Sequence, residues 1–66
     1  MDVRKQIKKF RQDLKLSQEE LASKIFVTRQ TISNWENGKN YPDVNSLVML
    51  SQLFNTSLDI LVKGDV

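Results

Sequence analysis

The middle of the chain constrains its fold most, because two helix-start signals stand there with very little chain between them. Ser17 and Glu20 form the pattern of a capping box, which opens a helix that can run to about residues 24–25. Thr28 is a second N-cap residue, and the helix after it ends at the C-cap signal of residues 37–38. A connection of only about three residues does not allow two helices to lie antiparallel, so the pattern predicts two short helices that cross steeply.

Three further segments have the pattern of short helices. Apolar residues recur at spacings of three and four over residues 2–14, which makes one helical stripe. Pro42-Asp43 restarts a helix that Asn55 can end in the left-handed conformation. Thr56 or Ser57 caps a last short helix, and the fold class predicted is therefore all-α, a compact domain of five helices. The apolar positions of the three segments are Val3, Ile7, Phe10 and Leu14, then Leu47, Leu50 and Phe54, then Leu58 and Leu61.

The length and the absent residue types exclude most chemistry. A chain of 66 residues supports one domain, so we expect residues 1–66 to form a single domain with a helix-turn-helix core at 18–37. There is no Cys and no His, which excludes disulfides, zinc-finger spacing, a thiolate nucleophile and an imidazole base. The carboxylates are not clustered at ligand spacing. We expect no enzyme activity, no metal site and no cofactor.

Basic residues are concentrated near the start of the chain. The net charge is +2, and six of the ten Lys and Arg residues stand in the first fifteen positions. This asymmetry favours an anionic partner, although a lysine-rich helix more often presents its charges to solvent. The longest apolar run, residues 47–50, is too short for a membrane span, and early charges interrupt any signal-peptide core. We expect no membrane partner and a cytoplasmic location.

The outward face of the third helix, residues 29–36, has the clearest chemical meaning. Four polar residues lie on one side of it because they are spaced at i, i+1, i+4 and i+5. An Arg side chain can bind a guanine edge with two hydrogen bonds, and Gln or Asn can bind adenine in the same way. We predict that this face reads bases in the major groove of DNA, although each residue alone also fits an ordinary solvated helix surface. The four residues, called the reading face below, are Arg29, Gln30, Ser33 and Asn34.

Both flanks of this helix carry donors for phosphate. Thr28 stands at its N-terminus, where free N–H groups favour an anion. Gln18 begins the preceding helix and is placed to donate to a phosphate oxygen on the neighbouring strand. The other backbone candidates follow the third helix and are Asn37, Lys39, Asn40 and Tyr41.

Glu36 stands directly beside the reading face and would repel DNA if its charge were free. Arg11 follows Phe10 of the apolar stripe, so its side chain can point toward the third helix. We predict a partly buried ion pair between Arg11 and Glu36 that supports the fold rather than contacting DNA.

Three stretches of sequence carry a family resemblance. They are Leu16-Ser-Gln-Glu-Glu-Leu-Ala, then Val27-Thr-Arg-Gln-Thr-Ile-Ser-Asn-Trp-Glu-Asn-Gly-Lys, then Tyr41-Pro. In order and spacing these resemble the Cro/cI (XRE-type, lambda-repressor-like) helix-turn-helix regulators, and the resemblance extends to Leu58-Asp-Ile-Leu.

The resemblance implies a five-helix, lambda-repressor-like DNA-binding domain whose third helix enters the major groove. It implies a sequence-specific double-stranded DNA-binding transcriptional regulator, expected to be a repressor, which binds a palindromic operator as a homodimer. By position it supports the reading face and the ion pair, and it adds Thr31 to the DNA-backbone contacts. The dimer surface in this family often involves the C-terminal helices, where the candidates are Leu58, Ile60, Val62 and the adjoining loop.

Phe26 departs from the family pattern. It occupies a turn position where Gly or Asn is common, since those residues tolerate a positive φ that costs other side chains about 1–2 kcal/mol. Three outcomes are open: the turn relaxes, Phe26 gains burial that offsets the strain, or an exposed Phe26 helps to form a protein interface.

Two other functions are also open. One is a protein-interaction module of the same fold, such as an antitoxin-like or anti-repressor subunit. The polar reading face disfavours it, because interface hot spots favour aromatic residues and a dry centre. The other is a small hydrolase or nuclease, which is disfavoured because Ser17, Ser33 and Ser57 have no base near them in sequence. No small-molecule ligand is evident from the sequence.

Overall fold

The computed structural model describes residues 3–63, and within that range the chain forms five helices and no strand. This confirms the predicted all-α, five-helix fold class; the predicted helix start at residue 2 lies outside the described residues. The helices are α1 (Val3–Asp13), α2 (Gln18–Lys24), α3 (Arg29–Glu36), α4 (Val44–Leu53) and α5 (Leu58–Lys63).

The helices begin where the sequence places N-cap side chains. The capping box of α2 is complete, because Ser17 Oγ accepts from Glu20 N at 3.0 Å and Glu20 Oε1 accepts from Ser17 N at 2.8 Å. Thr28 Oγ1 accepts from the third N–H of α3 at 3.2 Å, and Asp43 Oδ1 does the same for α4 at 2.8 Å. Ser57, rather than Thr56, caps α5, because its Oγ accepts from Ile60 N. Side-chain oxygens thus satisfy N–H groups that a helix start leaves unpaired.

The first four helices all end in the same backbone motif. A residue with positive φ follows each helix, and the next N–H donates to the carbonyl five positions earlier at 2.9–3.1 Å. Gly and Asn adopt this conformation readily, whereas Lys and Phe do so at a cost in free energy. The four residues are Lys15 (φ 59), Phe26 (φ 62), Gly38 (φ 76) and Asn55 (φ 54).

The core draws side chains from every helix. Ile7, Leu21, Ile32, Leu50 and Leu61 have no exposed side-chain surface, so one residue from each helix reaches the centre. The rings of α1 and the α4 C-terminus also stack, with 5.3 Å between the centroids of Phe10 and Phe54. Leu47 packs against this cluster from α4.

Leu14 does not complete the apolar stripe of α1, so this part of the helix prediction is wrong. The helix ends at Asp13, and Leu14 is 47% exposed. The physical reason is the left-handed turn at Lys15, which lets Leu16 N–H donate to Arg11 O at 3.1 Å and directs the chain into α2.

Phe26 follows neither of the first two outcomes considered for it. The turn has not relaxed, since φ is 62, and the side chain is not buried, since it is 85% exposed. The strain at this position is therefore not offset by burial within the described chain.

Candidate nucleic-acid interface

The steep crossing of α2 and α3 determines which side of α3 faces outward. Ile32 and Trp35 point into the core with 0% and 5% exposure. Ala22 of α2 is 2% exposed, and its small side chain allows the two helices to approach closely. Because Ile32 and Trp35 face inward, the four polar residues of the reading face lie along the opposite side of α3.

The structure brings the four residues of the reading face together as the spacing predicts. Arg29 and Gln30 are exposed, and Ser33 and Asn34 are half-buried at the edge of the helix packing. Gln30 Nε2 donates to Asn34 Oδ1 at 3.2 Å, which holds both amides in one orientation. The Asn34 amide N–H groups and the Gln30 carbonyl oxygen remain available to a base edge.

A polar cluster ties the C-terminal end of α3 to α1 and α2. Arg11 Nε donates to Glu36 Oε2 at 2.7 Å, and Arg11 Nη2 donates to Glu36 Oε1 at 3.1 Å. The two side chains are 12% and 4% exposed, so the predicted ion pair is present and largely buried. Gln18 Nε2 donates to Glu36 Oε1 at 3.1 Å, and Arg11 Nη1 donates to Leu16 O at 2.8 Å. The Glu36 charge is thus compensated inside the fold, and one Gln18 amide N–H remains for another acceptor.

Two hydroxyl groups mark the N-terminal end of α3. Thr28 is exposed and Thr31 is half-buried, and their hydroxyl oxygens lie 2.9 Å apart. The N-terminal N–H groups of a helix and its positive dipole end favour an anion at this point. Both threonines are therefore accessible where the sequence analysis places DNA-backbone contacts.

The loop from α3 to α4, residues 37–43, presents the remaining predicted backbone contacts. Asn34 O accepts from Lys39 N at 2.9 Å and from Asn40 N at 3.4 Å, which fixes the loop to α3. Asn37 Nδ2 donates to Ser33 Oγ at 3.2 Å. Asn37, Lys39 and Asn40 are exposed, as is Tyr41 at 60%, so all four residues face solvent on the same loop.

Arg4, which is not among the site residues predicted from the sequence, lies beside this loop. A Cβ atom built on Gly38 would meet Arg4 Nη1 at 2.5 Å and Arg4 Cδ at 3.3 Å, so the Arg4 side chain rests directly against Gly38. The available signal is spacing, because Arg4 stands seven positions before Arg11 and therefore on the same side of α1.

The carboxylates that are shifted lie at helix starts. Hydrogen bonds from Ser17 lower the pKa of Glu20, and hydrogen bonds from Ser46 lower the pKa of Asp43. Both carboxylates act as caps, so their shifts reflect the stabilisation of helix starts. Among residues 3–63, no His, Cys, Asp or Glu side chains are grouped so that they could hold a metal ion.

A helix-turn-helix unit with an outward polar face and two flanks of hydrogen-bond donors defines the class of this domain. A helix-turn-helix family model matches residues 7–61, and the chain belongs to that family. The proteins to which this chain is related confirm the predicted resemblance to the Cro/cI regulators. The HTH-type transcriptional activator BcrR of Enterococcus faecalis is 37% identical over 98% of this chain and 32% of its own length.

Solved structures place the fold in two different settings. The P22 c2 repressor, solved in complex with a synthetic operator, matches with a TM-score of 0.92 and 32% identity over 98% of both chains. The hydroxypropylphosphonic acid epoxidase from S. wedmorenis matches with a TM-score of 0.81 and 23% identity over 97% of this chain and 38% of its own. The same fold therefore occurs within an enzyme, and surface chemistry rather than fold must carry the argument about function.

The chain spans 32% to 51% of the length of the first three curated relatives that it matches. Within the described part of the chain, none of the helices has the length and apolar character that a membrane crossing requires.

Proposed function

We propose that this domain is the sequence-specific, double-stranded DNA-binding part of a transcriptional regulator, and that α3 reads the major groove. One observation carries the proposal. The reading face has four accessible polar side chains, while the one acid of α3, Glu36, is buried and neutralised by Arg11. A helix with donors, acceptors and no free acid on its outer side is compatible with a groove about 12 Å wide that is bordered by phosphates.

Base recognition in this proposal is divided by side-chain chemistry. Arg29 donates to a guanine edge, since its guanidinium forms two parallel hydrogen bonds with O6 and N7. Gln30 and Asn34 pair with adenine edges, and their mutual hydrogen bond orients both amides before DNA arrives. Ser33 lies one helical turn after Arg29, and its hydroxyl can donate or accept a hydrogen bond.

Backbone contacts flank the reading face on both sides. Gln18 contacts Glu36 at the C-terminal end of α3 and offers its second amide N–H to a phosphate there. The α3–α4 loop adds further phosphate donors at the same end of the helix. The threonine hydroxyls and the helix N-terminus hold a phosphate at the opposite end of α3. The residues assigned to the backbone are Gln18, Thr28, Thr31, Asn37, Lys39, Asn40 and Tyr41.

The regulator acts as a homodimer on a palindromic operator in the cytoplasm, and it acts as a repressor. The candidate surface for dimer formation is α5, where Leu58 is 42% exposed, Ile60 is 38% exposed and Val62 is half-buried. Two such subunits would present their α3 helices about 34 Å apart, one turn of DNA.

Selection of bound sites from random duplex DNA tests the proposal. We expect an enriched sequence of two inverted half-sites with their centres about 10 base pairs apart or a multiple of that. With about four phosphates neutralised per subunit, the logarithm of the affinity should fall with the logarithm of salt concentration at a slope near −7 for the dimer. A slope close to zero, or no enriched sequence, contradicts the proposal.

The double variant Gln30→Ala/Asn34→Ala tests the reading face separately. It should lose preference for the selected site, by about 1–3 kcal/mol for each adenine contact, and keep the thermal unfolding of the parent. The matched control is Gln52→Ala, because Gln52 is an exposed glutamine on α4 and should leave both properties unchanged. Unchanged preference in the double variant refutes the assignment.

Phe26 is the observation that favours the second candidate, a protein-interaction module. An aromatic side chain that is 85% exposed resembles the hot-spot residues of protein interfaces. Under this candidate, Phe26→Ala abolishes binding to a protein partner while the domain selects no DNA sequence.

A further inference from the structure

We infer that Arg4, from the first turn of α1, forms a phosphate-binding site together with Lys39 in the hollow between α1 and the α3–α4 loop. The inference rests on the proposed DNA-binding function and deepens it, because it adds a DNA contact from outside the helix-turn-helix core. The ligand is one backbone phosphate of the operator.

The placement of Arg4 is set by Gly38. The Arg4 Nη1 and Cδ atoms lie where a side chain at position 38 would stand, at 2.5 Å and 3.3 Å from an ideal Cβ. The absence of a side chain at Gly38 therefore lets the guanidinium lie across the end of α3, next to the loop residues assigned to the DNA backbone.

A hollow of about 360 Å³ opens at this point. Arg4, Lys39, Asn40 and Tyr41 are among the residues that line it, together with Trp35. No acidic residue is among the described residues that line it. Two cations, an amide and a phenol around an open hollow suit a single tetrahedral anion.

Arginine is well suited to this role. Its guanidinium carries five N–H donors in a rigid fork, so a contact that Arg4 makes elsewhere still leaves donors for a phosphate. The neighbouring Asn34 carbonyl holds Lys39 and Asn40 in place through their backbone N–H groups. The phosphate would therefore meet one cation from α1 and one from a loop that is fixed to α3.

The first test compares salt dependence of binding to the selected operator by fluorescence anisotropy. Arg4→Gln should reduce the magnitude of the slope of log affinity against log salt concentration by about 0.9 per subunit. Between 50 and 200 mM salt, the variant should therefore lose about 3.5-fold less affinity per subunit than the parent loses. Arg4→Lys should keep most of the slope because it keeps the charge. The control Lys9→Gln removes one exposed charge from another side of α1 and should change the slope much less.

The second test identifies the phosphate. Operator duplexes are made with single phosphates replaced by neutral methylphosphonates. One such replacement per half-site should weaken binding by the parent and by Lys9→Gln, and should weaken binding by Arg4→Gln clearly less, because only the Lys39 contact is then left to lose. Thermal unfolding checks that Arg4→Gln and Lys9→Gln are both folded at the temperature of the binding assay.

The inference is overturned if Arg4→Gln and Lys9→Gln change the slope equally, or if every replaced phosphate affects Arg4→Gln as it affects the parent. Failure of the parent to bind any duplex overturns the proposed function as well. A parent that binds its selected site while Arg4→Gln binds identically overturns this inference alone.

Discussion

The turns before and after α3 both contain a residue with positive φ, but one residue is a phenylalanine and the other is a glycine. Phe26 precedes the helix with φ 62 and an 85% exposed ring, whereas Gly38 follows it with φ 76 and the Arg4 side chain against its Cα. At Gly38 the positive φ favours glycine, and a larger residue would also displace the Arg4 side chain. At Phe26 the conformation alone would favour glycine, and no packing within the described fold explains the ring.

The two ends also differ in how firmly they are held. At the N-terminal end, the Thr28 hydroxyl accepts one backbone N–H. At the C-terminal end, Glu36 accepts three hydrogen bonds from Arg11 and Gln18, and the Asn34 carbonyl accepts two from the loop. Side-chain and loop hydrogen bonds are therefore more numerous at the C-terminal end of α3 than at its N-terminal end.

Removing the charge at the firmly held end should have the largest effect. Glu36→Ala leaves Arg11 and Gln18 without their acceptor in a largely buried site, so we expect a loss of about 3–5 kcal/mol in the free energy of unfolding. Urea denaturation measures this loss. The double variant Arg11→Met/Glu36→Leu should recover much of it, because an apolar pair needs no partner for a buried charge. A loss below about 1 kcal/mol for Glu36→Ala would show that the C-terminal end is not dominated by this pair.

Gly38→Ala should have the next largest effect. The left-handed conformation costs an alanine about 1–2 kcal/mol, and the new Cβ displaces the Arg4 guanidinium. Chemical denaturation gives the stability. Combining Gly38→Ala with Arg4→Gln should remove the contribution of the displaced side chain and leave the conformational cost.

Phe26→Gly should act in the opposite direction and stabilise the domain by about 0.5–1 kcal/mol. Relief of the left-handed strain exceeds the additional chain entropy that glycine brings to the unfolded state. Phe26→Ala is the matched control: it removes the exposed ring but keeps the strain, so its midpoint should stay close to the parent. Destabilisation by both variants would mean that the ring packs in solution.

Acid should weaken the helix starts that carry a carboxylate cap more than the start that carries only a hydroxyl cap. The pKa values of Glu20 and Asp43 are lowered in the folded chain, so the stability they contribute is complete at neutral pH and lost as the pH falls below about 5 toward their folded values. The starts of α2 and α4 weaken accordingly, whereas the Thr28 cap of α3 does not titrate. Between pH 7 and pH 3, the free energy of unfolding should fall less steeply with pH for Glu20→Gln than for the parent. The same pH dependence in both proteins would contradict the role of Glu20 as a titrating cap.

Local chemistry made most of the fold predictable. The N-caps at Ser17 and Thr28 are visible because a hydroxyl residue directly before the apolar positions of a helix is a helix-start signal, strengthened at Ser17 by Glu20. The C-terminal turns at Gly38 and Asn55 were found for a similar reason, since those residue types adopt positive φ readily. The turn at Lys15 is not visible in this way, and the turn at Phe26 was indicated only by the family resemblance, because neither side chain favours a positive φ.

Long-range contacts marked the limit for the candidate site. The Arg11–Glu36 pair was predictable because an acid beside the reading face needs a positively charged partner to neutralise it. Spacing places Arg4 on the same side of α1 as Arg11, but its contact with Gly38 depends on how α1 crosses the end of α3, which spacing along one helix does not specify. Gln6 was missed for the same reason: it is 2% exposed, and its Nε2 donates at 3.1 Å to Ile60 O, a partner 54 positions away.

The Asn34 carbonyl, which accepts the backbone N–H groups of Lys39 and Asn40, couples two kinds of contact mechanically. A tilt of α3 that spoils the fit to a wrong base pair would carry the adjoining loop with it and pull its donors from their phosphates. Under the proposed binding mode, mismatches are then penalised twice, and discrimination between operators is steeper than the base contacts alone would provide.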